Sequence, residues 1–542
     1  MPSLSFSSDE PNETTSLCTA GECEREKRLL RKKRLSRYIA VGLLALVSIL
    51  LAAIVLAASD HNGHRPDVSE STNINPVNFT FPPDFIWGSA TSSYQIEGAA
   101  NQDGRGASIW DTFCQEGGHV LENATGNIAC DHYHLYKDDV QLMEDLHLKA
   151  YRFSISWSRI LPYDNGYGYG NQINQAGIDF YNRLIDTLLD HGIEPWVTLY
   201  HWDLPQALEE AVGGWRDPGN TIVEAFGDYS RICYSAFGDR VKHWITINEP
   251  WTVAVHGYND GTKAPGRSHN GTFETYIVAH NMLLAHSAAA FIYKQEFASH
   301  GGMVGMSNSA DFRYPLLPNS KRDRKAAERA MLFQFGWFLD PVITGDYPAV
   351  MRERLGDRLP QFTKKQSQQL LDSCDFLGIN TYSSALATTP EKDPIRGGYW
   401  GDMFVTTSTH SSWGKNFMGW PIVPDATREL LLWISHRYNY PLLYITENGT
   451  AEEDHDLQAA QHDFGRRLFF EGHLRACRQA IQEGARLGGY FAWSLIDNFE
   501  WEYGYQRRFG ICHVDFETQV RTPKSSAIWY SQTIQTKGAN II

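Results

Sequence analysis

Short runs rich in β-branched and aromatic residues recur along this chain with longer helical-period stretches between them. Eight such runs can be placed, at 85–95, 150–160, 194–202, 243–249, 303–312, 376–383, 442–447 and 489–497. Strict alternation of strand and helix points to parallel pairing, because a parallel neighbour needs a crossover long enough to hold a helix. The stretches 133–147, 178–191, 275–300 and 458–484 have the length and period of such crossovers. Eight alternations imply an α/β fold closed as a (β/α)8 TIM barrel. An open doubly wound sheet alternates in the same way, but no Gly-rich phosphate loop follows the first run. With 42% hydrophobic and 13% aromatic residues the chain can fill a large core, which excludes a mostly disordered protein. The stretch 388–424, with many Gly, Trp and Thr, reads as a loop over the barrel mouth.

Two of the runs end in the same way. Ile245-Thr246-Ile247-Asn248-Glu249-Pro250 and Tyr444-Ile445-Thr446-Glu447-Asn448-Gly449 each close with a glutamate followed within two residues by a strand breaker. Chemistry on a parallel barrel sits at the carboxyl ends of the strands, so both side chains point into one mouth. Two carboxyl groups facing each other across about 5 to 5.5 Å are what retaining glycoside hydrolysis needs, one protonated and one ionised. Glu249 is the acid/base candidate, and the amide of Asn248 beside it can bind a sugar hydroxyl. Glu447 needs cationic or hydroxyl partners to stay ionised, and Arg152 and Tyr382 are candidates. A lone glutamate after a strand is usually a solvated turn residue, and a lone strand arginine is usually a structural ion pair. The conjunction carries the reading.

At this point the chain resembles the family 1 glycoside hydrolases, the β-glucosidase family, from about Phe79 to about Gln535. Six blocks carry the resemblance in order. They are Phe-Ile-Trp-Gly-Ser-Ala-Thr-Ser-Ser-Tyr-Gln-Ile-Glu-Gly-Ala from Phe85, Arg-Phe-Ser-Ile-Ser-Trp-Ser-Arg-Ile from Arg152 and His-Trp-Asp-Leu-Pro from His201. Thr-Ile-Asn-Glu-Pro from Thr246, Ile-Thr-Glu-Asn-Gly from Ile445 and Trp-Ser-Leu-Ile-Asp-Asn-Phe-Glu-Trp from Trp493 follow. The resemblance implies Glu249 as acid/base and Glu447 as nucleophile, with Arg152, Asn380 and Tyr382 around the latter. It implies Gln95, His201, Asn248, Glu500 and Trp501 as the hydrogen-bonding ring for the non-reducing sugar, Trp493 as its stacking floor, Trp202 in the same pocket and Trp420 as a wall of the leaving-group site. No metal or organic cofactor is implied. Departures are local: Asn380-Thr381-Tyr382 stands for the usual Asn-Tyr-Tyr, and Pro424-Asp425-Ala426 for Pro-Glu-Gly. Relatives acting on 6-phosphorylated sugars lack the pair that Glu500 and Trp501 form, so an unphosphorylated sugar is expected. The expected activity is retaining hydrolysis of β-D-glucosides, with β-galactosides or β-fucosides as further substrates. Transglycosylation by the same residues, or a non-catalytic membrane receptor on the same fold, are the alternatives.

The amino-terminal region is of another kind. Between Arg25 and Arg37 stand eight Lys or Arg and one Glu, and the next 21 residues, 38–58, carry no charge. At 1.5 Å per residue that segment spans about 30 Å, the thickness of a bilayer's hydrocarbon core. It reads as a single transmembrane signal-anchor between a basic cytoplasmic tail (1–37) and a stalk (59–77), with the barrel (78–542) outside in a type II arrangement. Cleavage near Ser59, giving a secreted domain, is the alternative. Acceptor triplets begin at Asn78, Asn123 and Asn270; a fourth, at Asn448, adjoins Glu447 and is expected to stay unmodified. Of the eight cysteines, Cys114 and Cys130 bracket a Gly- and Asn-rich loop that a disulfide would staple, whereas Cys233, Cys374 and Cys477 read as buried thiols. A net charge of −15 argues against nucleic acid as a partner.

Overall fold

A computed structural model describes residues 80–163, 173–371, 373–392 and 397–541. The basic tail, the apolar segment 38–58, the stalk and Asn78 lie outside these residues. Eight strands form the barrel: β1 (Ile86–Ala90), β2 (Ala150–Ser154), β3 (Glu194–Tyr200), β4 (His243–Asn248), β5 (Met303–Ser309), β6 (Phe376–Asn380), β7 (Leu443–Asn448) and β8 (Leu487–Trp493). Each pairs in parallel with its neighbours in chain order, and β8 closes on β1. Parallel strands covered on both faces read as continuous buried runs, and all five residues of β2 are buried.

Helices wrap the outside: α1 (His132–Asp145), α2 (Gln175–Asp190), α3 (Thr221–Phe237), α4 (Glu274–Glu296), α5 (Trp337–Thr344), α6 (Lys364–Leu371), α7 (Asp425–Arg437), α8 (Phe464–Gln482) and α9 (Ser525–Gln535). In α2 the buried Ile178, Tyr181, Leu184, Ile185 and Leu188 recur three and four apart and make one apolar stripe toward the sheet. Among the described residues α4 is the helix long and apolar enough to cross a membrane, and most of it is buried in the fold.

The barrel interior is layered. Low in the barrel Trp196 of β3 stacks on His243 at 3.8 Å and meets Tyr444 at 4.8 Å and Phe491 at 4.9 Å, forming an aromatic plug. Further along the strands, toward their carboxyl ends, the inward side chains turn polar: Arg152, Thr198, Asn248, Ser307, Asn380 and Thr446 are all buried. The plug therefore supports a polar floor.

A buried ionic cluster ties together the segments that follow β7 and β8. Lys524 Nζ lies 2.7 Å from Asp454 and 2.8 Å from Asp497, while Arg466 pairs with Asp454 at 2.9 Å and Asp463 at 2.6 Å. Arg508 reaches the other oxygen of Asp497 at 2.9 Å. Each buried charge has an opposite partner, the condition under which such groups survive in a low-dielectric interior.

Several expectations need correction. Cys114 and Cys130 are free thiols, not a disulfide. Each has its own buried partner: Cys114 accepts from the Tyr94 hydroxyl at 3.6 Å, and Cys130 donates to the Asp497 carbonyl at 3.1 Å. The first two strands end earlier than their apolar runs, because Ser93–Ile96 and Trp157–Ile160 turn helical. The single helix expected over 458–484 is two, Leu457–Ala460 and α8, with Asp456 capping the first through Ala459 N–H at 2.8 Å. The stretch 388–424 is not loop throughout: it holds the short helix Tyr399–Met403 and the strand Thr406–Ser408, which pairs with Ala385–Thr388.

Candidate active site

Both glutamates sit where the strand ladder loses its register. The β4–β5 pairing shifts between Ile245 and Asn248, and the β7–β6 pairing between Ile445 and Glu447. Such irregularities re-aim the side chains beyond them. Glu249 also adopts the left-handed backbone conformation (φ 46°, ψ 63°), as do Trp202 (φ 76°) and Trp501 (φ 49°). A side-chain-bearing residue is held there at a cost of about 1–3 kcal/mol, and such strain gathers at functional sites.

Beneath the mouth lies a continuous hydrogen-bonded chain. Arg152, with no exposed surface, donates from Nη1 to Glu447 Oε1 at 2.6 Å and to the Thr446 carbonyl at 3.0 Å, and from Nε to the Thr198 hydroxyl at 3.2 Å. Its Nη2 donates to Asn248 Oδ1 at 2.7 Å. Asn380 Nδ2 donates to that same oxygen at 3.0 Å and to Glu249 Oε1 at 2.8 Å. Three side chains thus link one carboxyl group to the other. On the far side the Tyr382 hydroxyl donates to Glu447 Oε2 at 2.6 Å, and Thr252 Oγ1 lies 2.6 Å from Glu249 Oε2. Asp311, just after β5, receives the backbone N–H groups of Tyr382 at 3.0 Å and Ser383 at 2.9 Å and so fixes the turn that carries Tyr382.

The two carboxyl groups are electrostatically unequal. Burial pushes Glu249 up to about 7, the charge of Glu447 adds to the rise, and the bonds from Thr252 and Asn380 oppose it. Burial leaves Glu447 above its ordinary range as well, although the Arg152 guanidinium and the Tyr382 hydroxyl pull it back toward the ionised form. Burial together with the Arg152 charge holds His201 neutral, well below its ordinary range.

A cavity of about 430 Å³ opens above this floor. Nine of the thirteen residues singled out from sequence line it: His201, Trp202, Glu249, Tyr382, Trp420, Glu447, Trp493, Glu500 and Trp501. Arg152, Asn248 and Asn380 lie behind, in the floor. Gln95 is buried and committed to protein partners, accepting from Ser92 at 2.6 Å and donating to Asn498 Oδ1 at 3.0 Å and the Phe499 carbonyl at 2.9 Å. It anchors the segment that carries Glu500. Trp202 donates its indole N–H to the Asn248 carbonyl at 3.0 Å and packs on Trp501 at 4.6 Å, while the ring of His201 stacks on Trp493 at 5.8 Å. Among the described residues two buried polar atoms of cavity-lining side chains have no hydrogen-bond partner in the protein, His201 Nδ1 and Glu500 Oε2. Burial pushes Glu500 up to about 8, against the opposing charge of Lys263. Sequence reasoning missed several wall residues, among them Trp251, Thr252, Lys263, Arg313 and Gln334. Thr252 was findable, since it stands three residues after Glu249 at the opening of a helix that begins with Pro250.

Glycosyl hydrolase family 1 matches residues 77–539. The chain belongs to that family. Beta-glucosidase 42 of Arabidopsis thaliana is 45% identical over 477 residues, covering 84% of this chain and 94% of its own. Raucaffricine-O-beta-D-glucosidase of Rauvolfia serpentina is 42% identical over 504 residues, covering 85% and 92%. Among solved structures, a rice β-glucosidase superposes with a TM-score of 0.80 at 42% identity, covering 83% of this chain and 98% of that one. The family 1 β-glucosidase of the fungus Humicola insolens, solved with glucose, gives 0.80 at 40% identity over 84% and 98%. The family's barrel and this one are the same fold.

The inequality of the carboxyl groups is measurable directly. In carboxyl infrared difference spectra against Glu249→Gln, the protonated Glu249 band is expected to vanish with a midpoint at about pH 7. Glu447→Gln removes the like charge, so the midpoint should move down; a midpoint in the ordinary carboxylate range in both proteins would contradict the arrangement.

Proposed function

We propose that this family 1 hydrolase is a retaining β-D-glucosidase that removes terminal non-reducing glucosyl groups. The observation that carries the reading is the pair of carboxyl groups at one mouth, joined through Arg152, Asn248 and Asn380, of which only Glu447 has a cation bonded to it. Glu249, held protonated near neutral pH, gives its proton to the glycosidic oxygen. Glu447, drawn toward the anion by Arg152 and Tyr382, attacks the anomeric carbon, and the C–O electrons leave with the aglycone. Water then attacks the glycosyl–Glu447 ester while Glu249, now a carboxylate, takes its proton. The unpartnered His201 and Glu500 atoms suit sugar hydroxyls, which supply both donors and acceptors, and Trp493 offers an apolar face to the ring. The named activities of the relatives, and a solved mutant of the rice enzyme in covalent complex with glucose, support the same reading. Trp420, 5.8 Å from Tyr382, would wall the aglycone side.

The amino-terminal segment supports a second part of the proposal, a type II membrane anchor at 38–58 with the barrel on the lumenal or external side. Its support is the uncharged 21-residue run behind a basic flank. In that orientation the exposed Asn123 and Asn270 meet the glycosylation machinery, whereas Asn448 is buried and bonded at both ends, to Thr381 and Tyr490.

Purified full-length protein should release the phenol from an aryl β-glucoside, and Glu447→Gln should lower kcat by at least about a thousandfold with the fold retained. Comparable turnover in that variant would refute the nucleophile assignment, and a folded but inactive wild type would favour the receptor reading. In cells the full chain should resist carbonate extraction from membranes and shorten on endoglycosidase treatment. Recovery of an uncleaved chain in the soluble fraction would contradict the anchor.

A further inference from the structure

Arginine has only N–H groups and accepts nothing. The atom of Asn248 that Arg152 meets at 2.7 Å is therefore its amide oxygen. Asn380 approaches that same oxygen at 3.0 Å, so the atom it presents is its nitrogen, while its own oxygen accepts from the Thr446 hydroxyl at 2.7 Å. The orientation of Asn380 is thus dictated from Arg152, two residues away in the network. Its nitrogen faces Glu249 Oε1 at 2.8 Å and can only donate. An oxygen already receiving that N–H is the poorer place for an acid proton, so the proton belongs on Oε2. The partner of Oε2 is Thr252 Oγ1 at 2.6 Å, a hydroxyl, which can accept from a carboxylic acid and donate to a carboxylate. Thr252 is 5% exposed and lines the cavity.

We propose that Thr252 is a positioning residue for the acid/base proton: it keeps that proton on Glu249 Oε2 in the free enzyme and stabilises the carboxylate that forms when the proton swings away to the leaving group. The proposal rests on the hydrolase reading above. In the first step the Oε2–H bond breaks, an O–H bond forms on the departing glycosidic oxygen, and the C–O electron pair goes with that oxygen. The Thr252 hydroxyl turns from acceptor to donor as this happens. In the second step the proton of the attacking water returns to Oε2 and the hydroxyl turns back. Asn380 cannot follow this cycle, because an amide N–H has one role only. The charged and titratable groups that face Glu249 are Glu447 on β7, Arg152 on β2, Tyr382 after β6 and Glu500 after β8. Its side-chain hydrogen bonds are those with Asn380 and Thr252. The pull of the Thr252 bond on Glu249 is downward, toward the carboxylate, against burial.

The test compares wild type, Thr252→Val and Thr252→Ser in the full chain on two β-glucosides, one with a dinitrophenolate leaving group and one with an alkoxide. The readout is kcat/KM, which reports only the first step. A dinitrophenolate leaves without protonation, so Thr252→Val should keep that rate within about twofold, which also shows that it is folded. On the alkyl glucoside it should lose about tenfold or more, the effect of one hydrogen bond to a charged group. The alkaline limb of its pH profile should move upward, because the bond that favoured the carboxylate is gone. Thr252→Ser should restore both the rate and the limb. Equal losses on the two substrates with an unmoved limb, or a serine variant as impaired as the valine, would overturn the proposal. A wild type inactive on the dinitrophenyl glucoside would overturn the hydrolase reading and this proposal with it, an outcome distinct from either pattern among the variants.

Discussion

A guanidinium buried without any exposed surface organises this molecule. Arg152 must find acceptors for its N–H groups inside the barrel, and it takes them from three other strands: Thr198 on β3, Asn248 on β4, and Glu447 with the Thr446 carbonyl on β7. Removing such a partner leaves an unpaired buried charge, so the strands are held in the one arrangement that satisfies it. The ion pair with Glu447 is also what makes one carboxyl group differ from its chemical twin. Burial raises both groups, but Glu249 has no cation in hydrogen-bonding contact and feels Glu447 as a like charge, so their electrostatic inequality follows from where the arginine points.

The floor is held by packed and ion-paired supports. Below it the Trp196 plug fills the barrel, and beside it the Lys524–Asp454–Asp497 cluster ties the segment after β7 to the one that carries Glu500 and Trp501. Gln95 does related work from the segment after β1 by bonding Asn498 and Phe499. Residues far apart in the chain are thereby held to fixed geometry around a cavity whose strained corners are Glu249, Trp202 and Trp501. Tight placement matters because catalysis of this kind depends on positioned groups more than on flexible ones.

Much of this was legible in the chain. The eight strands were readable because strands buried on both faces form continuous apolar runs, and the glutamates were readable because each run ends at its barrel mouth. Strand ends were less so: Ser93–Ile96 and Trp157–Ile160 are apolar enough to pass for strand, and only tertiary packing turns them into helix. The Cys114–Cys130 bridge was misjudged because sequence proximity says nothing about which way a thiol faces, and each faces a different polar partner. Asn380 was placed near Glu447 by resemblance and does stand beside it, but its nitrogen also bonds Glu249; amide orientation is decided by a network that spans β2, β4 and β6 and is invisible in one dimension. Wall residues such as Arg313 and Gln334 come from extra elements between β5 and β6, where no periodic signal marks a side chain as facing the cavity.

The central claim is that Glu447 is the anion this arrangement maintains and Glu249 the acid. The most direct measurement is trapping with an activated 2-deoxy-2-fluoro-β-glucoside, followed by proteolysis and mass spectrometry of the labelled peptide. The account predicts a single fluoroglucosyl ester on Glu447, lost when the residue is changed to Gln. A label on Glu249, or steady turnover with no adduct in the active protein, would contradict it.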